Sequence, residues 1–124
     1  MEILAIESTD ITPFINLDAE AGQLELKGRS IPENSLEFYQ PVYKWLDEYL
    51  ENPKDKTIVN VQLDYFNTSS SKCILDILKK VDKLDEMGKD VLIKWFYDEN
   101  DEDMMEAGED YSDLLEVPFE IIVL

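Results

Sequence analysis

Residues 58–75 read IVNVQLDYFNTSSSKCIL, and two different periodicities meet in this stretch. Apolar and polar residues alternate from Val59 to Tyr65, which is the periodicity of a β-strand. From Cys73 to Leu84 the apolar residues recur at helical spacing. We therefore predict that a strand passes into a helix through one short turn, which carries the four consecutive hydroxyl residues Thr68 to Ser71.

This hydroxyl-rich turn is suited to a negative charge. The start of a helix presents unpaired N–H groups and the positive end of the helix dipole. An anion is favoured there, including a phosphate attached to the protein itself. The turn also has an ordinary structural interpretation, because Ser, Thr and Asn are the preferred helix N-caps. One cap at Asn67, Thr68 or Ser69 accounts for one residue, but not for four hydroxyls in a row.

Three stretches of the chain resemble one known family. YFNTSSSKCILDIL (residues 65–78) resembles the signature of the SiaC family of regulatory phosphoproteins, whose fold is similar to that of STAS-domain anti-sigma-factor antagonists. Pro32-Glu33-Asn34-Ser35 and Lys94-Trp95-Phe96-Tyr97-Asp98 also resemble that family. The sequence departs from the family's pattern chiefly at Ser71 and Lys72 and at Pro41, which leaves the identity of the partner open.

The resemblance implies a switch protein rather than an enzyme. In the family, a cognate Ser/Thr kinase of the anti-sigma type phosphorylates the Thr of the N-T-S-S turn, and a PPM-type phosphatase removes the phosphate. The unphosphorylated form binds and stimulates a diguanylate cyclase. The matching Thr in this chain is Thr68.

Each residue around the turn has an expected role. Thr68 is the phosphate acceptor, while Asn67, Ser69 and Ser70 shape the turn and help to seat its hydroxyl in the kinase. Asp64 is a candidate contact to the turn or to the kinase's metal ion, on nearness in sequence alone. A phosphate adds about −1.5 to −2 charges. The helix terminus tolerates this charge, but at an apolar interface it would have to be desolvated and binding would fail.

Composition sets further bounds. A chain of 124 residues fits one domain, here residues 1–124. It has neither an apolar run of bilayer length nor a basic segment followed by an apolar one at its N-terminus. The single cysteine, Cys73, lies on the apolar face of the predicted helix, so we expect a buried thiol and no disulfide. A cytoplasmic protein is expected.

Charge and the missing histidine exclude several function classes. The formal net charge of −18 argues against nucleic acid and anionic membranes as direct partners. Without histidine, no Ser-His-Asp triad, Cys-His pair or common zinc site can be assembled, so we expect no catalytic residue, cofactor or metal. The main alternative to a switch is an acidic adaptor or inhibitor that binds a basic protein partner permanently. An enzyme is the third and least favoured class.

The first part of the chain is predicted to open with a hairpin and continue into one helix. Its strands run over Ile11–Leu17 and Gln23–Lys27, and Pro13 places the first of them at a sheet edge. A helix capped by Asn34 then runs to Asn52-Pro53. Pro41 interrupts this helix, which implies either a separate first turn or a kink.

A second helix follows over Ser69–Met87, with Gly88 as its stop. Val91–Tyr97 is predicted to be a central strand covered on both faces, because it is apolar on both. A third helix within residues 101–115, weakened by Gly108, and a last strand over Phe119–Val123 complete the chain. Strand–helix–strand units of this length imply right-handed parallel crossovers. We therefore predict one α/β, STAS-like domain with about three helices and a mixed sheet that starts with an antiparallel hairpin.

One acidic window resembles a calcium-binding loop. Between Asp98 and Glu109, oxygen-bearing side chains occupy positions one, three, five and twelve, as in an EF-hand. The required glycine at position six is replaced by Asp103, and the segment before the window reads as a strand where an EF-hand has a helix. The interpretation favoured here is an acidic helix start rather than a metal site.

Overall fold

The chain alternates strands and helices after an opening set of antiparallel strands. A computed structural model describes residues 1–124. The strands are β1 (Leu4–Ile6), β2 (Phe14–Asp18), β3 (Gln23–Ser30), β4 (Lys56–Phe66), β5 (Asp90–Tyr97) and β6 (Phe119–Val123). The helices are α1 (Ser35–Glu51), α2 (Thr68–Glu86) and α3 (Glu102–Leu114). None of them is long and apolar enough to cross a membrane.

All six strands form one sheet in the order in which they occur in the chain. The pairings β1–β2 and β2–β3 are antiparallel, and the three later pairings are parallel. The predicted fold class, an α/β domain with a mixed sheet, an opening antiparallel hairpin and three helices, is confirmed.

The three helices cover one face of the sheet. Because β3 to β6 are adjacent in chain order, right-handed crossovers place α1, α2 and α3 on the same side. The register aligns Leu24, Val59 and Ile93 across three neighbouring strands, and all three side chains are buried. The core therefore lies between this face and the helices.

The prediction that β5 is covered on both faces was wrong. Leu92 and Phe96 lie on the face away from the helices and are only partly buried. A strand that is apolar on both faces resembles a fully covered strand in sequence. Here the neighbouring strands shield these side chains in part, with no second layer over them.

The N-terminal part of the sheet also differs from the prediction. The short strand β1 was not predicted, and it is β1, rather than the strand after Pro13, that forms the edge. Pro13 precedes β2, so its missing N–H does not interrupt the ladder. Residues 11–13 belong to a turn in which the Thr9 hydroxyl accepts hydrogen bonds from the backbone N–H groups of Ile11 and Thr12.

Helix α1 runs without interruption through Pro41, so of the two predicted alternatives, a separate first turn or a kink, the separate first turn is wrong. The cap was predicted correctly: Asn34 Oδ1 accepts a hydrogen bond of 3.1 Å from the Glu37 N–H. Pro41 removes the N–H that would bond the Glu37 carbonyl. Both residues are exposed, so water can satisfy that carbonyl.

Helix α3 occupies most of the acidic window. Residues 102–109 are helical, so the window does not form the extended loop of an EF-hand. Gly108, expected to weaken this helix, has a packing role instead. A Cβ at this position would lie 2.5 Å from Trp95 Cδ1, and the Trp95 Nε1–H donates a 2.9 Å hydrogen bond to the Met104 carbonyl. The glycine lets α3 approach the sheet closely over this indole.

Candidate functional site

The hydroxyl-rich turn joins β4 to α2. Asn67 is the N-cap, and its Oδ1 accepts hydrogen bonds from the Ser70 N–H at 2.9 Å and from the Ser69 hydroxyl at 3.1 Å. The Asn67 N–H donates to the Ser30 carbonyl at 3.1 Å, which ties the turn to the end of β3. Because an asparagine caps the helix, none of the four hydroxyls that follow it is needed for that purpose.

Three of the four hydroxyls make hydrogen bonds within the chain. Ser70 is fully buried, with its hydroxyl 2.8 Å from that of Ser30. The Ser69 hydroxyl lies 2.8 Å from that of Ser35, at the start of α1. The third serine, Ser71, has its hydroxyl 3.0 Å from the phenolic oxygen of a tyrosine on α3. The serines therefore connect the turn to three other elements of the fold.

Thr68 differs from these serines. It is the first residue of α2 and, like Ser69, it is exposed. Unlike the three serines, its hydroxyl makes no hydrogen bond within the chain. Of the four hydroxyls, Thr68 alone is free to react without the loss of an internal contact.

Thr68 opens onto a cavity of about 500 Å³ between the first turns of α1 and α2, which we call the acceptor cavity. Two helix N-termini meet here, each with the positive end of its dipole. Leu36 is 63% exposed at its rim. The complete lining is Glu33, Asn34, Ser35, Leu36, Thr68, Ser69, Lys72 and Cys73. The cavity thus combines an exposed apolar side chain, one acidic and one basic residue, and a free hydroxyl.

Asp64 does not join the turn. It is exposed near the end of β4, and its carboxylate makes no hydrogen bond with the turn residues. It lines a separate cavity with Tyr65, Phe66 and the first part of α3. The structure therefore brings Asn67, Ser69 and Ser70 together around Thr68 and leaves Asp64 apart. A contact between Asp64 and a kinase stays a prediction.

The tyrosines that pack below the turn are neutral at neutral pH. The Tyr39 hydroxyl lies 2.5 Å from that of Ser30, and burial raises the pKa of Tyr39 to about 12. Burial also raises the pKa of Tyr111, the tyrosine that bonds Ser71. Cys73 is a free, buried thiol, as predicted. Neither tyrosine therefore places a charge beneath Thr68 at neutral pH.

Sequence reasoning missed several members of this network. Ser30, Tyr39 and Tyr111 lie on other elements, and no spacing pattern links them to the turn. Ser35 is the exception, because it belongs to the Pro32–Ser35 stretch that carries the family resemblance. Its hydrogen bond with Ser69 shows that two of the resembling stretches meet in space.

The sequence model of the family described as SiaC family regulatory phosphoprotein matches residues 6–124. The chain belongs to the SiaC family. An uncharacterized protein of Pseudomonas aeruginosa (strain UCBPP-PA14) is 35% identical over 121 residues, which cover 98% of this chain and 96% of that protein.

Solved structures of the family have the same fold. SiaC of Pseudomonas aeruginosa matches with a TM-score of 0.92 and 33% identity over 100% of both chains. A chain in the crystal structure of the diguanylate cyclase SiaD in complex with its activator SiaC, from the same organism, matches with a TM-score of 0.91 and 34% identity. That match covers 98% of this chain and 99% of the other.

Proposed function

We propose that this protein is a cytoplasmic regulatory phosphoprotein, not an enzyme, that binds and activates a diguanylate cyclase. A cognate kinase of the anti-sigma type phosphorylates Thr68 and ends the binding, and a PPM-type phosphatase restores it. Two observations support the cyclase as target: the chain belongs to a family of regulatory phosphoproteins, and a similar protein is the activator in a complex with a diguanylate cyclase.

Thr68 differs from the adjacent serines in the availability of its hydroxyl. Phosphoryl transfer requires an exposed oxygen that can approach the γ-phosphate in line. Thr68 presents such an oxygen, whereas Ser69, Ser70 and Ser71 hold theirs in hydrogen bonds. A kinase that acted on these serines would have to break internal contacts first.

The same geometry explains how one phosphate can act as a switch. Thr68 shares its cavity with Leu36, whose exposed side chain is a natural contact for an apolar partner surface. A phosphate of about −1.5 to −2 charges beside such a contact must be desolvated when the partner docks. Because the Thr68 hydroxyl bonds nothing inside the chain, the modification requires no refolding.

The other candidate is a permanent acidic adaptor, which the formal charge of −18 favours. In that case the target would be basic and the state of Thr68 would not matter. The two functions differ in one observable, namely whether phosphate on Thr68 changes the set of bound proteins.

Affinity capture from an extract of the protein's own cells tests the proposal. The two baits are the Thr68→Ala variant and the same chain with phosphothreonine installed at position 68, and mass spectrometry identifies the captured proteins. We expect a diguanylate cyclase on the alanine bait and its loss from the phosphorylated bait. A partner captured equally by both baits would establish the adaptor instead, and the lack of any cyclase on the alanine bait would remove the cyclase from the proposal.

A further inference from the structure

Lys72 is an unpaired basic residue in the acceptor cavity. It is exposed on α2 and takes part in neither of the two ion pairs of the chain, Lys80–Asp47 and Lys89–Asp55. It follows Thr68 by four residues, so both side chains lie on the same side of the helix, about 6 Å apart along its axis. Both also line the acceptor cavity.

The charges around Thr68 are few. Glu33, from the segment before α1, and Lys72, from α2, are the charged residues that line the cavity, and they offset each other. Cys73 is the other titratable residue there, and it is buried. A phosphate on Thr68 would be the largest charge in the cavity, with a single cation beside it.

We propose that Lys72 is the intramolecular counter-ion of phosphorylated Thr68. An acidic group four residues before a lysine is the favourable orientation for an ion pair on a helix. The pair lowers the second pKa of the phosphate, so the dianion persists at lower pH. It also engages the one lysine that lines the cavity. The inference rests on the proposed function, since it concerns the phosphate on the same residue.

Phosphorus NMR tests this pairing without any partner protein. Phosphothreonine is installed at position 68 by an expanded genetic code, so that the measurement does not depend on a kinase. The second pKa of the phosphate is then read from its chemical shift between pH 4 and pH 8. The comparison includes the parent chain and the variants Lys72→Gln, Lys72→Arg and Lys79→Gln, each shown to be folded by circular dichroism.

We expect Lys72→Gln to raise the phosphate pKa by about 0.3 units, which corresponds to about 0.4 kcal/mol at 1.36 kcal/mol per unit. Lys72→Arg keeps a cation in place and should leave the pKa near that of the parent chain. Lys79→Gln removes the same charge from an exposed site on the same helix. That site is about 16 Å away along the axis, beyond the Debye length of about 8 Å, so its pKa should stay within about 0.1 units of the parent.

An equal pKa shift in Lys72→Gln and Lys79→Gln, or no shift in either, would overturn the inference. These outcomes are separate from failure of the proposed function. If no kinase modified Thr68, the installed phosphate would still report whether Lys72 pairs with it.

Discussion

The Ser70 hydroxyl lies 2.8 Å from the Ser30 hydroxyl, forty residues earlier in the chain, and both residues are fully buried. This contact joins the start of α2 to the end of β3. The Tyr39 hydroxyl also contacts Ser30, so the network extends into α1. The turn is therefore held from below, while Thr68 remains exposed above it. This arrangement separates the residues that build the turn from the residue that is available for modification.

The acceptor should be Thr68 and not the adjacent serines. The reason is that its hydroxyl is exposed and unbonded, whereas the three serine hydroxyls are hydrogen-bonded. Peptide mass spectrometry after treatment with the cognate kinase locates the phosphate. Phosphate found mainly on Ser69, Ser70 or Ser71 would refute the assignment, and a Thr68→Ala chain that takes up no phosphate serves as the control.

Loss of the Asn67 cap and loss of the Thr68 hydroxyl should have different effects on stability. Asn67 caps α2, so Asn67→Ala should lower the free energy of unfolding by about 1 kcal/mol. If the Thr68 hydroxyl were the cap, Thr68→Ala would lower the free energy of unfolding by a similar amount. Since the cap is Asn67, we expect Thr68→Ala to change the free energy of unfolding by less than about 0.5 kcal/mol. Urea denaturation measures both, and equal losses would contradict this division of roles.

Gly108→Ala should destabilise the protein although alanine favours helices. The new methyl group would lie 2.5 Å from Trp95 Cδ1, so the indole or α3 has to move. We expect a net loss of about 1 to 3 kcal/mol, which is typical of overpacking. Thermal unfolding, with Trp fluorescence as a probe of the indole, measures the change. Glu109→Ala, at the next and exposed position of the same helix, should be near neutral. A Gly108→Ala variant as stable as this control would show that the contact is loose.

Stability should fall at high pH because of buried Tyr39. Its pKa is raised from 10.0 to about 12, so the folded state favours the neutral phenol. The stability that the neutral, buried phenol contributes is fully present below pH 10 and is lost as the pH rises toward 12. Between pH 9 and pH 11, wild type should lose about 1 kcal/mol more than Tyr39→Phe, which has no phenol to ionise. Urea denaturation at the two pH values measures the free energy of unfolding of each protein. An equal loss in wild type and Tyr39→Phe would rule out this linkage.

Strong periodicity explains why the second half of the chain could be predicted well. The strand Phe119–Val123 agrees to the residue, and α2 agrees to within one residue at each end. The strand β1 was missed because three residues are too few to show a period. The layer above β5 was predicted wrongly because a partly shielded apolar residue and a covered one look alike in sequence.

For the site, the local sequence predicted the turn but not the residues on other elements that form hydrogen bonds with it. The Asn-Thr-Ser-Ser run and its position between a strand and a helix were visible directly. That Asn67 would be the cap, leaving Thr68 without a bond, depended on backbone geometry. The partners Ser30 and Tyr111 come from other elements that reach the turn only through the tertiary fold.

Whether phosphate on Thr68 controls binding is decided by the affinities of the unphosphorylated and phosphorylated forms for the captured target. Calorimetry compares the purified target with unphosphorylated protein and with protein carrying stoichiometric phosphothreonine at position 68. Thr68→Asp is an intermediate case, since one carboxylate carries less charge than a phosphate dianion. We expect at least about tenfold weaker binding for the phosphorylated form, a loss of about 1.4 kcal/mol. Undiminished affinity of the phosphorylated form would contradict the switch and leave a permanent adaptor in its place.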